Sequence, residues 1–289
     1  MYTDNYKTEQ IITDRQQGLS GIMSEFGIRA AGIPLSSCRV IKEYKLRRLP
    51  FEPVSVYMGI IPYYTRFCDE DRTVSAYAVG RDYHLFIEET GRKILAKAER
   101  IFPGEGFAVF GDSSPIDERD AAARAGLGVI GENGMLITKE YSSYVFLFEI
   151  LTTLPPDTVP REPERCPGCG RCREACPYSF SGECLSAVTQ KKGDLTDGEE
   201  ALIRKHRTVW GCDICQEVCP YTEAAKAAGT LYSPIDFFYE RPLPRPDTGT
   251  LADDADFRTR AYSWLPKSVI LRNMKLLGIS APDTEKGEE

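Results

Sequence analysis

Eight of the ten cysteines in this 289-residue chain fall between Cys166 and Cys219, and their spacing constrains it more than any other feature. The first run is Cys166-Pro-Gly-Cys169-Gly-Arg-Cys172-Arg-Glu-Ala-Cys176-Pro177. This is the C-x2-C-x2-C-x3-C-P spacing with which bacterial ferredoxins hold iron–sulfur clusters. Cys184 and the run Cys212-Asp-Ile-Cys215-Gln-Glu-Val-Cys219-Pro220 supply four more thiols. The three closely spaced cysteines sit on a tight loop that can wrap one cubane. The fourth is carried onto a following helix and reaches the other cluster. The pattern assigns Cys166, Cys169, Cys172 and Cys219 to one 4Fe-4S cluster, and Cys176, Cys184, Cys212 and Cys215 to a second. Zinc suits paired C-x2-C, but a zinc site needs four ligands and has no use for the doubled pattern. A disulfide scaffold suits a short secreted chain, which this is not.

The length allows one large domain and a small one. No apolar run approaches the roughly 20 residues that span a bilayer. Met1 to Gln17 is polar, with no apolar core to mark it for export, and cluster thiolates require a reducing compartment. The expectation is a cytoplasmic protein away from membranes, and a monomer. The net charge of −7 argues against a broad nucleic-acid surface, while leaving room for a local basic patch.

Helical spacing over residues 9–26 precedes Gly27 as a stop. Val54 to Ile61 reads as a buried strand closed by Pro62, 85–101 as an amphipathic helix, and 106–110 as a short strand. In Gly111-Asp112-Ser-Ser114-Pro115-Ile-Asp117-Glu118, Ser114 is a candidate cap with Pro115 at the first helical position. Gly126 is the expected stop, so Asp112 lies in a tight strand-to-helix loop. Gly126-Leu-Gly128-Val-Ile-Gly131 spells G-x-G-x-x-G, but it follows a helix and leads into a strand at 135–138. It is therefore not a dinucleotide fingerprint, and its glycines permit close approach of a ligand or of packed chain. Val145 to Leu151 is a further strand. Residues 157–165 read as a polar linker, 197–209 as a charged helix and 257–277 as helical with interleaved basic residues. The acidic tail from Pro282 reads as disordered. Cys38 and Cys68 read as ordinary buried thiols.

Together these stretches resemble the epoxyqueuosine reductases, cobalamin-dependent enzymes with two clusters. The likeness is carried by Tyr77-Ala-Val-Gly-Arg81-Asp82-Tyr83-His84, by Asp112 to Arg119, by Ala125 to Asn133, by Phe146 to Leu151, by Trp210 to Pro220 and by Leu271-Arg-Asn273. The resemblance implies an α+β chain: a nitroreductase-like cobalamin-binding domain (1–155), a ferredoxin-like double-cluster module (156–225) and a short helical extension (226–289). It implies reduction of an epoxide to an alkene on the queuosine precursor in tRNA, with electrons from an external low-potential donor and Asp112 as proton donor. Such an acid needs a pKa raised toward the working pH, which burial against a macrocycle would provide. Tyr77, Arg81, Asp82, His84, Gly126, Gly128, Gly131 and Asn133 are the implied cobalamin-pocket candidates. Asp82-Tyr-His84 opens like the motif D-x-H-x-x-G, but Ile87 replaces the glycine. His84 is therefore not read as an axial cobalt ligand, and a hydrogen-bonded histidine near the core is the alternative.

The chain departs from the family in four places. The segment between Ile28 and Pro53 is short, and Glu132 and Val129 stand where lysine and tryptophan are common. Fewer residues separate Cys176 from Cys184. The chain ends soon after Asn273, without the helical-repeat domain that helps hold tRNA. The basic residues of 258–275 read either as a remnant contact or as a solvated charged face. Two further functions stay in view: a cobalamin and iron–sulfur reductase of a small molecule, and a double-cluster electron-transfer protein without cobalamin.

Overall fold

The computed structural model describes residues 18–280. The polar N-terminal stretch and the acidic tail lie outside them, as does the first half of the helix expected at 9–26. Residues 18–24 are helical. In chain order the elements are β1 (Arg29–Pro34), α1 (Glu43–Leu46), β2 (Ser55–Pro62), α2 (Tyr83–Ile101), β3 (Phe107–Phe110) and α3 (Glu118–Arg124). Then come β4 (Val129–Ile130), β5 (Leu136–Ile137), β6 (Val145–Thr152), α4 (Arg171–Ala175), α5 (Leu185–Gln190) and α6 (Asp197–His206). The last are α7 (Ile214–Glu217), α8 (Pro220–Ala228), α9 (Asp254–Phe257) and α10 (Lys267–Leu276). None of the described helices is long and apolar enough to cross a membrane.

The chain divides into two compact units, neither of them one continuous stretch. The first contains Met1–Tyr63, Phe86–Cys169 and Pro220–Ile235, and the second Tyr64–Leu85, Gly170–Cys219 and Asp236–Glu289.

The first unit is built on a four-stranded antiparallel sheet in the order β1-β2-β6-β3. β2 is buried along its whole length, which is why its sequence is a continuous apolar run rather than an alternation. Helix α3 packs on β2 and β6. Its inward face is Ala121, Ala122 and Ala123, small enough to let the helix close on Ile33, Val56, Met58, Ile60 and Leu151. Each large apolar side chain buried in this way contributes roughly 1.5–3 kcal/mol. The stretch 157–165, read from sequence as a linker, is tied into this unit. The Asp157 carboxylate accepts from the Gly32 N–H at 2.7 Å, and the Glu164 carbonyl accepts from the Ile130 N–H at 2.8 Å.

In the second unit α5, α6 and α10 pack on one another around Leu185, Val188 and Ile203. Thr196 and Glu199 form a reciprocal capping box that starts α6. The helix stops at His206, three residues before the expected end, because Arg207 turns left-handed at φ 48°. The helical stretch expected over 257–277 is split into α9 and α10, with Pro266 as the residue before α10.

The Leu271-Arg-Asn273 motif has a structural role here. Asn273 is fully buried, and its Nδ2 donates to the carbonyls of Thr189 (2.7 Å) and Val209 (2.9 Å). Asn273→Ala leaves both carbonyls unsatisfied in the interior. It is expected to destabilise the protein by about 3 kcal/mol, read from the denaturant midpoint. The basic residues nearby are also largely used internally. Arg260 is 4% exposed and forms a buried ion pair with Asp256 at 2.8 Å, and Arg272 donates to the Lys191 carbonyl at 2.9 Å. These two do not form the solvated face that is one reading of their sequence.

Candidate active site

Asp112 lies where the sequence puts it, in the turn that leaves β3. It is exposed and holds φ at 65°, a left-handed conformation that aspartate tolerates better than most residues. The Ser113 N–H donates to the Gly111 carbonyl at 2.7 Å, closing a γ-turn of the less common hand around Asp112. A residue held in a sparsely populated conformation, at a strand end, is a frequent mark of a functional loop. Beside it, a Cβ on Gly111 would come within 2.6 Å of Ile87 Cδ1, so the tip of that side chain would have to shift.

The turn is held from several sides. The Asp112 N–H donates to Glu118 Oε1 at 3.2 Å. Lys45 Nζ donates to Ser113 Oγ at 2.6 Å and to the Ser113 carbonyl. The N–H groups of Ile41 and Lys42 share the Pro115 carbonyl at 2.8 and 2.9 Å, and Arg39 pairs with Asp117. The helix begins at Glu118, not at Pro115. Asp117 is its cap, accepting from the Asp120 N–H, while Ser114 turns inward and accepts from the Ile116 N–H at 2.9 Å. The Ser114 hydroxyl closes a local turn of its own in place of capping, so the cap moves three residues along. Gly126 ends the helix as expected, at φ 75°.

Glu149 is the functional candidate that the sequence reading missed. It sits in β6 opposite Met58 of β2 and Phe110 of β3, and it is 0% exposed. Neither carboxyl oxygen makes a hydrogen bond of normal geometry, and the polar side chains facing it are Glu118 and Ser114. Its signal in the sequence is a lone carboxylate within an apolar strand, Val145-Phe-Leu-Phe-Glu149-Ile-Leu-Thr152. Both acids of the pair are pushed out of the ordinary carboxylate range. Burial raises Glu149 to about 8, aided by the charge of Glu118. Burial raises Glu118 to about 7, aided by the charge of Asp112. Both start from 4.5, so between about pH 4.5 and 8 the folded chain holds more protons than the unfolded one. The pair's contribution to stability is therefore full below pH 4.5 and is lost as pH rises through 7 to 8. Glu149→Gln is expected to stabilise the protein by about 2 kcal/mol at alkaline pH and to change little in acid, as read by thermal melts across pH.

The cobalamin-pocket candidates are each engaged by the protein. In the second unit the Tyr77 hydroxyl accepts from Trp210 Nε1 at 2.7 Å. Arg81 pairs with Glu240 at 2.6 Å and lies 4.6 Å from the Phe237 ring centre. Asp82 holds the start of α2, accepting from the His84 N–H at 3.0 Å and facing His84 Nδ1 at 2.8 Å. The His84 side chain is 53% exposed and is not a core histidine. In the first unit, a Cβ on Gly128 would lie 2.5 Å from the Ile137 carbonyl, and one on Gly131 would lie 2.3 Å from Asn133 Oδ1. These two glycines answer to the β4–β5 hairpin, and the Asn133 carboxamide accepts from the Met135 N–H at 3.2 Å within it. Gly126 and Gly128 line a cavity of about 230 Å³ with Arg29, Lys139 and Arg161. That is below the usual range for a pocket enclosing even a drug-sized ligand. These contacts fit the eight residues to the fold, and they do not by themselves make a corrinoid cradle.

None of the cysteines is in a disulfide. Cys166 and Cys169 belong to the first unit, and the other six of the eight to the second. The Glu132 N–H donates to Cys166 Sγ at 3.3 Å, the kind of bond that stabilises a ligating sulfur. Gly168 and Gly170 turn left-handed at φ 69° and 78°, which lets the chain curl between the first three cysteines. In the second unit, Cys176 ends α4, Cys184 precedes α5, Cys212 precedes α7 and Cys215 lies in α7. Helices α4 and α7 pack together. Among the described residues, no three His, Cys, Asp or Glu side chains are gathered closely enough to hold a metal ion. The Cys212 thiol is nonetheless within electrostatic reach of Cys184 and Cys215. Burial, then these neighbours, push it up to about 12. Three thiols near one another are the type of donor that iron–sulfur clusters take.

No protein-family model matches the chain. It is 43% identical over 104 residues to the epoxyqueuosine reductase of Gloeobacter violaceus, a match covering 36% of this chain and 33% of that protein. It is 34% identical over 150 residues to that of Pseudomonas aeruginosa, covering 47% and 42%. The matched stretches thus span less than half the length of these relatives. Among solved structures, the epoxyqueuosine reductase of Streptococcus thermophilus superposes with a TM-score of 0.69 at 22% identity, covering 91% of this chain and 80% of that one. An epoxyqueuosine reductase solved with an epoxyqueuosine-modified tRNA-Tyr stem loop gives 0.73 at 23% identity, covering 92% and 81%. The chain is therefore similar to epoxyqueuosine reductases, in sequence over part of its length and in fold over about nine-tenths of it.

Proposed function

We propose that the chain is an oxidoreductase of the epoxyqueuosine type, reducing an epoxide to an alkene on the queuosine precursor in a tRNA anticodon loop. The observation that carries this reading is Asp112, exposed on a strained turn with half-buried Glu118 and fully buried Glu149 behind it, in a chain similar to enzymes named for that reaction. A Bacillus subtilis neighbour of similar fold was solved with its catalytic aspartate loop swung out of the active site, which supports a mobile acid loop as a working part of this fold. In this reading the organisation is a nitroreductase-like part and a ferredoxin-like part, with Cys166, Cys169, Cys172 and Cys219 on one cluster and Cys176, Cys184, Cys212 and Cys215 on the other. A reduced corrinoid with the two clusters would supply the electrons at low potential. The chain's own residues do the rest. Asp112 presents a proton to the leaving oxygen, the Lys45 and Glu118 contacts hold its turn, and the loop glycines and cysteines fix the donor set. The partners would be tRNA and an external low-potential electron donor, in a reducing cytoplasm.

Anaerobic reconstitution with iron, sulfide and cobalamin tests the cofactor set. The reading expects about eight iron atoms per chain and cobalamin that stays with the protein through gel filtration. Clusters without retained cobalamin would instead favour an electron-transfer protein.

A further inference from the structure

We propose that Glu118 and Glu149 form a proton-holding carboxyl pair that reloads Asp112 during turnover. The proposal rests on the epoxide-reduction reading and adds a source for the protons which that reaction consumes. Converting an epoxide to an alkene breaks both C–O bonds and releases the oxygen as water. It takes two electrons, supplied by a donor of the ferredoxin or flavodoxin class, and two protons. Asp112 is one carboxyl and delivers one proton at a time, so a second must arrive before the oxygen can leave.

The geometry supplies a store directly behind it. Glu118 Oε1 accepts from the Asp112 N–H at 3.2 Å, and the charge of Asp112 is felt at Glu118. Behind Glu118 lies Glu149, shut off from solvent and with neither oxygen in a normal hydrogen bond. A buried carboxyl whose polar neighbours are another carboxyl and one hydroxyl costs the fold stability unless it keeps a proton. Burial outweighs the two lysines near the pair, which favour its ionised form. β2 and β3 present Met58 and Phe110, neither of them ionisable, opposite Glu149. From the segment before β2, Lys42 acts on Glu118, Lys45 acts on Glu149, and the Cys38 thiol senses Glu149. Two adjoining carboxyls in such a site share a proton rather than ionise together. Glu118 is half-buried, so it can pass a proton to Asp112 on one side and take one from solvent on the other.

Two readouts test this, and the first needs no reductase activity. Infrared spectra of the cofactor-free protein at pH 7 should show a protonated-carboxyl band that is lost in Glu149→Gln and shifted in Glu118→Gln. Single turnover on an epoxyqueuosine-bearing stem loop should fall about tenfold in either variant at about pH 7, where the wild-type pair still holds a proton, and change little at about pH 5, where solvent protons reload Asp112. Absence of the band in the wild-type chain, or variant pH profiles parallel to the wild type, overturns the pair. A chain that shows the band but converts no stem loop supports the pair and refutes the substrate reading. Using two variants guards against one of them failing to fold.

Discussion

Asp112→Asn is expected to fold, to keep its clusters and to bind RNA as the wild type does, while its single-turnover rate falls about 100-fold or more. The size follows from removing a general acid from the reacting centre. Asparagine is the informative choice because of the backbone. Asp112 sits at φ 65°, and asparagine is among the few residues that accept this conformation, so the γ-turn and the Glu118 contact to the main chain survive. Alanine would mix loss of the acid with strain in the turn. The check is a mass-spectrometric time course of the RNA product alongside a thermal melt. An unchanged melt with lost turnover assigns the acid, and full turnover in Asp112→Asn removes it from the mechanism.

Cys215→Ser is expected to remove one cluster outright, so that iron and sulfide after reconstitution fall to about half and the visible absorption falls with them. Cys215 lies in α7, directly after a loop that the protein fixes tightly. Asp213 is 6% exposed and accepts from Ser75 Oγ, from the Ala76 N–H at 2.6 Å and from Arg72 at 3.0 Å. A loop anchored at that depth cannot move to offer another ligand, so loss of the sulfur is not repaired locally. The same measurement separates the metal readings. A zinc site would give a colourless protein with no bound sulfide, and a disulfide scaffold would lose its fold under reductant.

Where one element decided its own structure, the sequence was sufficient. The continuous apolar run of β2 spans Ser55–Pro62, the amphipathic helix spans Tyr83–Ile101 and Gly126 stops α3, each within two residues of expectation. The placement of Asp112 in a strand-to-helix turn followed from the same local signals. What failed to show was set by partners far away in the chain. Ser114 could not be told from a helix cap without knowing that its hydroxyl would turn inward and close a turn on Ile116. The polar stretch 157–165 reads as a linker until Gly32 and Ile130 are seen to bind it. The basic residues near the end read as a surface until Asp256 and the Lys191 carbonyl take up two of them. Glu149 was hidden for the same reason. In sequence it is one acid in a strand, and only the fold sets it against Glu118 with no solvent to share.

The most direct test of the whole account is single turnover of the reconstituted, reduced protein on a stem-loop RNA carrying epoxyqueuosine, read by mass spectrometry. The account predicts loss of one oxygen atom and appearance of the alkene, in wild type and not in Asp112→Asn. RNA recovered with its epoxide intact, from protein holding both clusters and cobalamin, would contradict it.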